Sequence, residues 1–179
     1  VARGQVVQKV NATGRVQAAV EVNISANVSG EIMNLAVQEG DEVTRGQFLV
    51  QLDRERYLAA VERNESLEKS TRADVRLTRT ELKRVRELHE KGLASKAELE
   101  QAEARYDKAV SALEQQRAAL KQTWDDLEKT SITSPIDGTV TKLEKEVGEI
   151  ALGSTFQSET IMTISDLTTM EVIVEVDES

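Results

Sequence analysis

A short glycine-punctuated pattern occurs twice in this chain, with a long helix-forming stretch between the copies. The first copy reads Val28-Ser29-Gly30-Glu31-Ile32, then Glu39-Gly40-Asp41, then Gly46-Gln47-Phe48 through Asp53. The second reads Ser134-Pro135-Ile136-Asp137-Gly138-Thr139-Val140, then Val147-Gly148-Glu149, Gly153, and Ile161 through Asp166. Gly30 maps onto Gly138 and Gly40 onto Gly148 at one fixed offset. Two distant half-units that complete one β-unit bring the ends of the intervening segment together. That segment must leave and return to the same place.

The halves read as β-structure. Their apolar runs are short, β-branched and closed by glycine-containing turns, the pattern of a small β-sandwich. Ahead of them, Val6–Ala12 and Val16–Ile24 partly alternate apolar and polar residues, with Thr13-Gly14 predicted as the turn between. Behind them, Met170–Val176 alternates again. Residues 1–24 and 167–179 are thus expected to form strands of a further β-domain. The chain opens on Val1 and stops inside a strand-like run. It is expected to be a piece of a longer protein.

Between the halves, residues 54–131 contain no proline and only Gly92. Arg, Glu, Leu, Ala and Lys dominate, all good helix formers. Gly92 stands where a C-cap glycine is expected. Ser95 and Glu98 form an S-x-x-E capping box that starts a second helix. The stretch is predicted to be an antiparallel hairpin with arms about 54–91 and 95–130, turning at Gly92 and Leu93. In the second arm Leu99, Tyr106, Leu113, Leu120 and Leu127 repeat by heptads, with Ala102, Ala109, Gln116 and Thr123 beside them; this is a coiled-coil seam. The first arm is weaker. Val61, Val75, Leu82, Val85 and Leu88 suit a seam, while Asn64, Glu68, Thr71 and Thr78 interrupt it. Two such arms make a thin rod suited to lateral packing, and the polar column of the second at Gln116 and Thr123 is read as lining a wet lumen.

Composition narrows the chemistry. The formal net charge of −9 argues against nucleic acid, which calls for clustered positive charge. There is no cysteine, so disulfides, thiolate catalysis and cysteine metal sites are excluded. No apolar run reaches the roughly 18 residues of a membrane-spanning helix. His89, the one histidine, has no second imidazole to share a zinc ion and reads as a solvated residue near the turn. Asp125-Asp126 and Glu144-Lys145-Glu146 read as surface charge, and Trp124 as seam or lateral packing. No serine lies in G-x-S-x-G, and there is no phosphate-binding glycine loop. No cofactor is expected, and the chain reads as non-enzymatic.

The half-motifs resemble the two halves of a biotinyl/lipoyl domain. In carrier domains of that type a lysine between the halves accepts the cofactor. Here the equivalent turn falls at Leu52–Arg56, and no lysine occurs from Arg45 to Glu68. A lipoyl domain split by a coiled-coil hairpin is similar to the membrane fusion proteins, the HlyD-type periplasmic adaptor subunits, and most similar to adaptors of RND or MacA-type ABC efflux pumps. The resemblance implies an α+β architecture. Residues 25–53 and 132–166 would form the lipoyl-like sandwich, 54–131 the hairpin, and the termini part of a β-barrel. At the tip, Arg84, Leu88 and Ser95 match the family's Arg…Leu…Ser pattern, implicated there in docking to a TolC-like outer-membrane channel. The implied protein is a periplasmic adaptor, anchored to the inner membrane by an element outside this sequence. It would join an RND or ABC transporter to the channel as a homo-oligomer, by family likeness a hexamer. Three other readings remain: an adaptor of a type I protein secretion system, a biotinyl or lipoyl carrier subunit, and an adaptor from a single-membrane organism, which would have no outer-membrane duct and against which the Arg84, Leu88, Ser95 trio speaks.

Overall fold

The computed structural model describes residues 13–153 and 159–175. The chain is α+β. In order it forms β1 (Thr13–Ser25), β2 (Gly30–Leu35), β3 (Glu42–Val43), β4 (Phe48–Leu52), α1 (Glu55–Glu90), α2 (Lys96–Glu128), β5 (Ser131–Thr133), β6 (Gly138–Leu143), β7 (Ile150–Ala151) and β8 (Thr160–Glu175). It divides into two units, residues 1–51 with 132–179, and residues 52–131.

The first unit holds two four-stranded sheets, ordered β1-β8-β6-β3 and β5-β4-β2-β7. Each sheet takes strands from both halves of the repeat, and the exchange is reciprocal. In one, Gly30 faces Ala151 and Glu31 faces Ile150. In the other, Val43 faces Gly138 and Glu42 faces Thr139. Advancing one half by the Gly30-to-Gly138 offset turns one set of pairs into the other. The loop bonds obey the same rule. Ile32 N donates to Glu149 O and Val140 N to Asp41 O; Gly148 N donates to Ile32 O and Gly40 N to Val140 O. Gly40 and Gly148 both sit at left-handed φ, +93° and +91°, where a Cβ would be strained.

The core repeats as well. Ile32, Val43, Leu49 and Val50 from the first half and Val140, Ala151, Ile161 and Met162 from the second are all buried. Burying a side chain of this size stabilises by about 1.5–3 kcal/mol. Neither half carries a complete set, so the β-unit closes only when both are present.

One expectation fails. Thr13 and Gly14 do not form a turn. They open β1, opposite Glu175 and Val174 of β8. The long antiparallel partner supplies a ladder that overrides the turn preference of a Thr-Gly pair. Val6–Ala12 lies outside the described residues. The β1–β8 ladder is broken between Ala18 and Val20, where their partners step from Met170 to Asp166. At that step the Asp166 carboxylate accepts from the backbone N–H and hydroxyl of Thr168.

Candidate functional site

The second unit is an antiparallel pair of helices. With 36 and 33 residues, α1 and α2 are about 54 and 50 Å long at ~1.5 Å per residue. The unit closes at its base, where Leu52 N donates to Thr130 O at 2.8 Å. The strand β4 leads through Asp53 and Arg54 directly into α1.

Along α2 the burial follows the heptads. Leu113 and Ala102 are buried, and Leu99, Tyr106, Ala109, Gln116, Leu120, Thr123 and Leu127 are half-buried. The seam of α1 does not follow its apolar residues. Two unbroken heptad columns face α2: Val61, Glu68, Val75, Leu82, His89, and Tyr57, Asn64, Thr71, Thr78, Val85, every one buried or half-buried. The polar residues that seemed to interrupt the seam are members of it. Asn64 Oδ1 accepts from Gln116 Nε2 at 3.0 Å across the pair. Glu68, only 7% exposed, accepts from Arg72 at 2.7 Å and from Arg117 at 3.3 Å. Gln116 thus faces the partner helix rather than a lumen, and Thr123 bonds the carbonyl of Leu120 on its own helix. Two outer ion pairs also cross between the helices, Arg86 to Glu103 and Arg105 to Glu81. Trp124 is not a seam residue; it is half exposed.

At the top of α1 the seam ends on His89, not Leu88. Leu88 is 37% exposed and Leu93 is 73% exposed. Heptad phase explains the difference, because Val61, Leu82 and His89 share one column and Leu88 falls beside it. His89 is correspondingly not a solvated residue; it is half-buried, and its Nδ1 lies 2.8 Å from Ala94 O.

The reversal is a Schellman motif. Gly92 N donates to His89 O at 2.9 Å and Leu93 N to Leu88 O at 2.8 Å, with Gly92 at φ +72°. The capping box completes the turn. Glu98 N donates to Ser95 Oγ, while the Glu98 carboxylate accepts from Ser95 N at 2.6 Å and from the Ser95 hydroxyl at 2.9 Å. Those two donors, the backbone N–H first, hold the Glu98 carboxyl below the usual carboxylate range. The Ser95 proton is therefore committed to Glu98, and Ser95 can offer another molecule only an acceptor lone pair.

The structure brings the three tip residues of the sequence motif to one end of the hairpin. Arg84 and Leu88, one helical turn apart on α1, are both exposed, as is Ser95. Among the described residues, Arg84 makes no ion pair, unlike its neighbour Arg86. The apolar phase of α1 was too sparse to find Asn64, Glu68 and His89 as seam members. Extending the Val61–Leu82 spacing by one heptad would have found His89.

Among the described residues there is no cluster of His, Asp or Glu able to hold a metal ion, and no helix long and apolar enough to cross a membrane. A two-sheet β-unit assembled from reciprocal halves, with a two-helix insert between them, defines a barrel-sandwich hybrid with a helical hairpin. The RND membrane fusion protein barrel-sandwich hybrid model matches residues 20–165. The chain belongs to that family of membrane fusion proteins. It is 27% identical to the macrolide export protein MacA of Yersinia pestis over 186 residues, spanning 96% of this chain and 50% of MacA. It is 29% identical to the multidrug resistance protein MdtA of Klebsiella pneumoniae over 143 residues, spanning 79% of this chain and 35% of MdtA. Among solved structures it resembles ZneB of Cupriavidus metallidurans, with a TM-score of 0.62, 28% identity, and coverage of 89% of this chain and 66% of ZneB. The chain spans half or less of the length of these curated relatives.

Proposed function

We propose that this chain is the sandwich-and-hairpin part of a periplasmic adaptor of a tripartite efflux pump. It links an inner-membrane transporter to a TolC-like outer-membrane channel and catalyses no reaction. The relatives named for macrolide export and multidrug resistance support this reading. In it the termini, residues 1–24 and 167–179, begin a further β-barrel domain. The adaptor is held at the inner membrane and works as a ring of identical copies, a hexamer by family likeness.

The observation that carries the docking role is the division of labour within the hairpin. Its seam is satisfied internally, down to the polar pairs of Asn64 and Glu68. Arg84, Leu88 and Leu93 lie outside the buried columns of that seam and stand exposed at one end. An arginine and two leucines presented beside a capped turn suit a protein partner, because arginine and large apolar anchors carry binding energy when desolvated. The carrier reading loses its chemical basis, since no amine stands where the cofactor would be attached. Arms of about five heptads favour an efflux adaptor over a type I secretion adaptor, whose hairpins are longer as a rule.

The test is Arg84→Asp combined with Leu88→Ala in the full-length protein, expressed in an efflux-deficient host. Drug resistance should fall to the level of the host without adaptor, at normal protein abundance. Resistance at wild-type level would remove the docking role.

A further inference from the structure

We propose that His89 is the positioning residue of the hairpin tip, acting through its side-chain hydrogen bond to the carbonyl of Ala94. The proposal rests on the docking reading only for its functional consequence; the positioning itself is a separate, measurable claim.

The tip loop is short, and several of its backbone polar groups are held by nearby partners. Gly92 N and Leu93 N are held by the carbonyls of His89 and Leu88. Ser95 N is held by Glu98. Between these two fixtures stands Ala94, whose carbonyl belongs to neither the Schellman motif nor the capping box. His89 reaches it from five residues upstream, at 2.8 Å. This bond joins the end of α1 to the residue immediately before the Ser95 cap. Within the loop itself, the backbone of Leu93 and Ala94 is otherwise what joins the two fixtures, beyond the seam packing and the Arg86–Glu103 ion pair below them.

The ring is suited to the task by its place in the seam. His89 continues the column of Val61, Glu68, Val75 and Leu82, so it is packed between the helices rather than swinging in solvent. A carbonyl oxygen can only accept, so Nδ1 must carry the proton in this bond. A leucine in the same column would pack but would leave Ala94 O without its donor. An imidazole does both. Because Leu88 and Ser95 flank the bond on either side, it fixes the spacing of the proposed docking surface before any partner arrives. Preorganisation of this kind removes an ordering cost from binding.

The chemistry sets a sharp test. The side-chain amide nitrogen of asparagine occupies the position of Nδ1, whereas that of glutamine extends toward Nε2. We therefore compare His89→Ala, His89→Asn and His89→Gln, with Arg84→Asp/Leu88→Ala as the docking control. In the full-length protein, amide exchange at Leu93 and Ser95 should be about tenfold faster in the alanine and glutamine variants and close to wild type in the asparagine variant. Nitrogen NMR of His89 should show the Nδ1-protonated tautomer when neutral. In the efflux-deficient host the same order should hold for drug resistance. Unchanged exchange in His89→Ala, the Nε2-protonated tautomer, or an asparagine variant no better than glutamine would each overturn the proposal. If the exchange order holds but Arg84→Asp/Leu88→Ala keeps full resistance, positioning stands and the docking reading falls.

Discussion

At the scale of single residues, the tip is governed by which polar atoms are already spoken for. Ser95 is first a helix cap. Ser95→Ala removes the acceptor for Glu98 N and should cost about 1 kcal/mol, a fall in melting temperature of about 2–4 °C for a chain of this size. That loss occurs with or without a channel, so resistance assays on Ser95 need a stability control. The cap also predicts a pH dependence. The folded-state pKa of Glu98 is lowered by its two bonds from Ser95. Its stabilisation is therefore present above the usual carboxylate range and lost as pH falls through the lowered pKa. The gap in melting temperature between wild type and Glu98→Ala should be widest near neutral pH and close in acid. A gap constant with pH would mean that the ionised carboxylate is not what holds the turn. The Ser95–Glu98 box and Gly92 were legible in the sequence because caps and C′ glycines act within one turn. His89 was not, since its role depends on a neighbouring helix and a carbonyl that composition cannot reveal.

At the scale of elements, the hairpin is held by a seam that is apolar on α2 and mixed on α1. The heptads of α2 could be read directly because leucine fills them. Those of α1 could not, because Asn64, Glu68, Thr71 and Thr78 are seam residues that carry polar atoms. Each polar atom needs its partner. Asn64→Ala leaves the Gln116 amide facing an apolar neighbour and should destabilise the hairpin by about 1–3 kcal/mol. Asn64→Leu with Gln116→Leu replaces both partners and should recover most of that loss. Chemical denaturation of Asn64→Leu, Gln116→Leu and their double gives the coupling directly; additive losses would mean that the cross-helix bond contributes nothing. Glu68 is held on both sides by arginines that are themselves more than half exposed, so solvent screening weakens that cluster. A polar layer here opposes slippage of one helix along the other, since a one-heptad shift would part Asn64 from Gln116 and Glu68 from Arg117.

At the scale of the whole molecule, the repeat of the glycine pattern predicted that distant halves would meet. It did not predict how. The halves trade strands, so that Gly30–Ala151 and Val43–Gly138 are the same pairing seen from either side. Only the register shows this, and register is invisible in one sequence when each strand is two to six residues long. The trade has a thermodynamic signature. Ile32 and Val140 occupy equivalent places in the core, both fully buried. Ile32→Ala should cost about 2–5 kcal/mol, and Val140→Ala, with fewer atoms removed, somewhat less. Each should lower the denaturation midpoint of β2 and β6 alike, because neither half has a core to itself. Separate midpoints for probes placed in the two halves would refute that cooperativity. The trade also imposes a timetable on biogenesis. A chain is made from its N-terminus, and β3 has no neighbour in its sheet until β6 has been synthesised. By then α1 and α2 are complete, and local helical contacts form quickly. The coiled coil is thus positioned to zip first and to draw Leu52 toward Thr130. Its closure delivers the late half to the waiting one, which makes the hairpin a folding tether for the sheets as well as an arm.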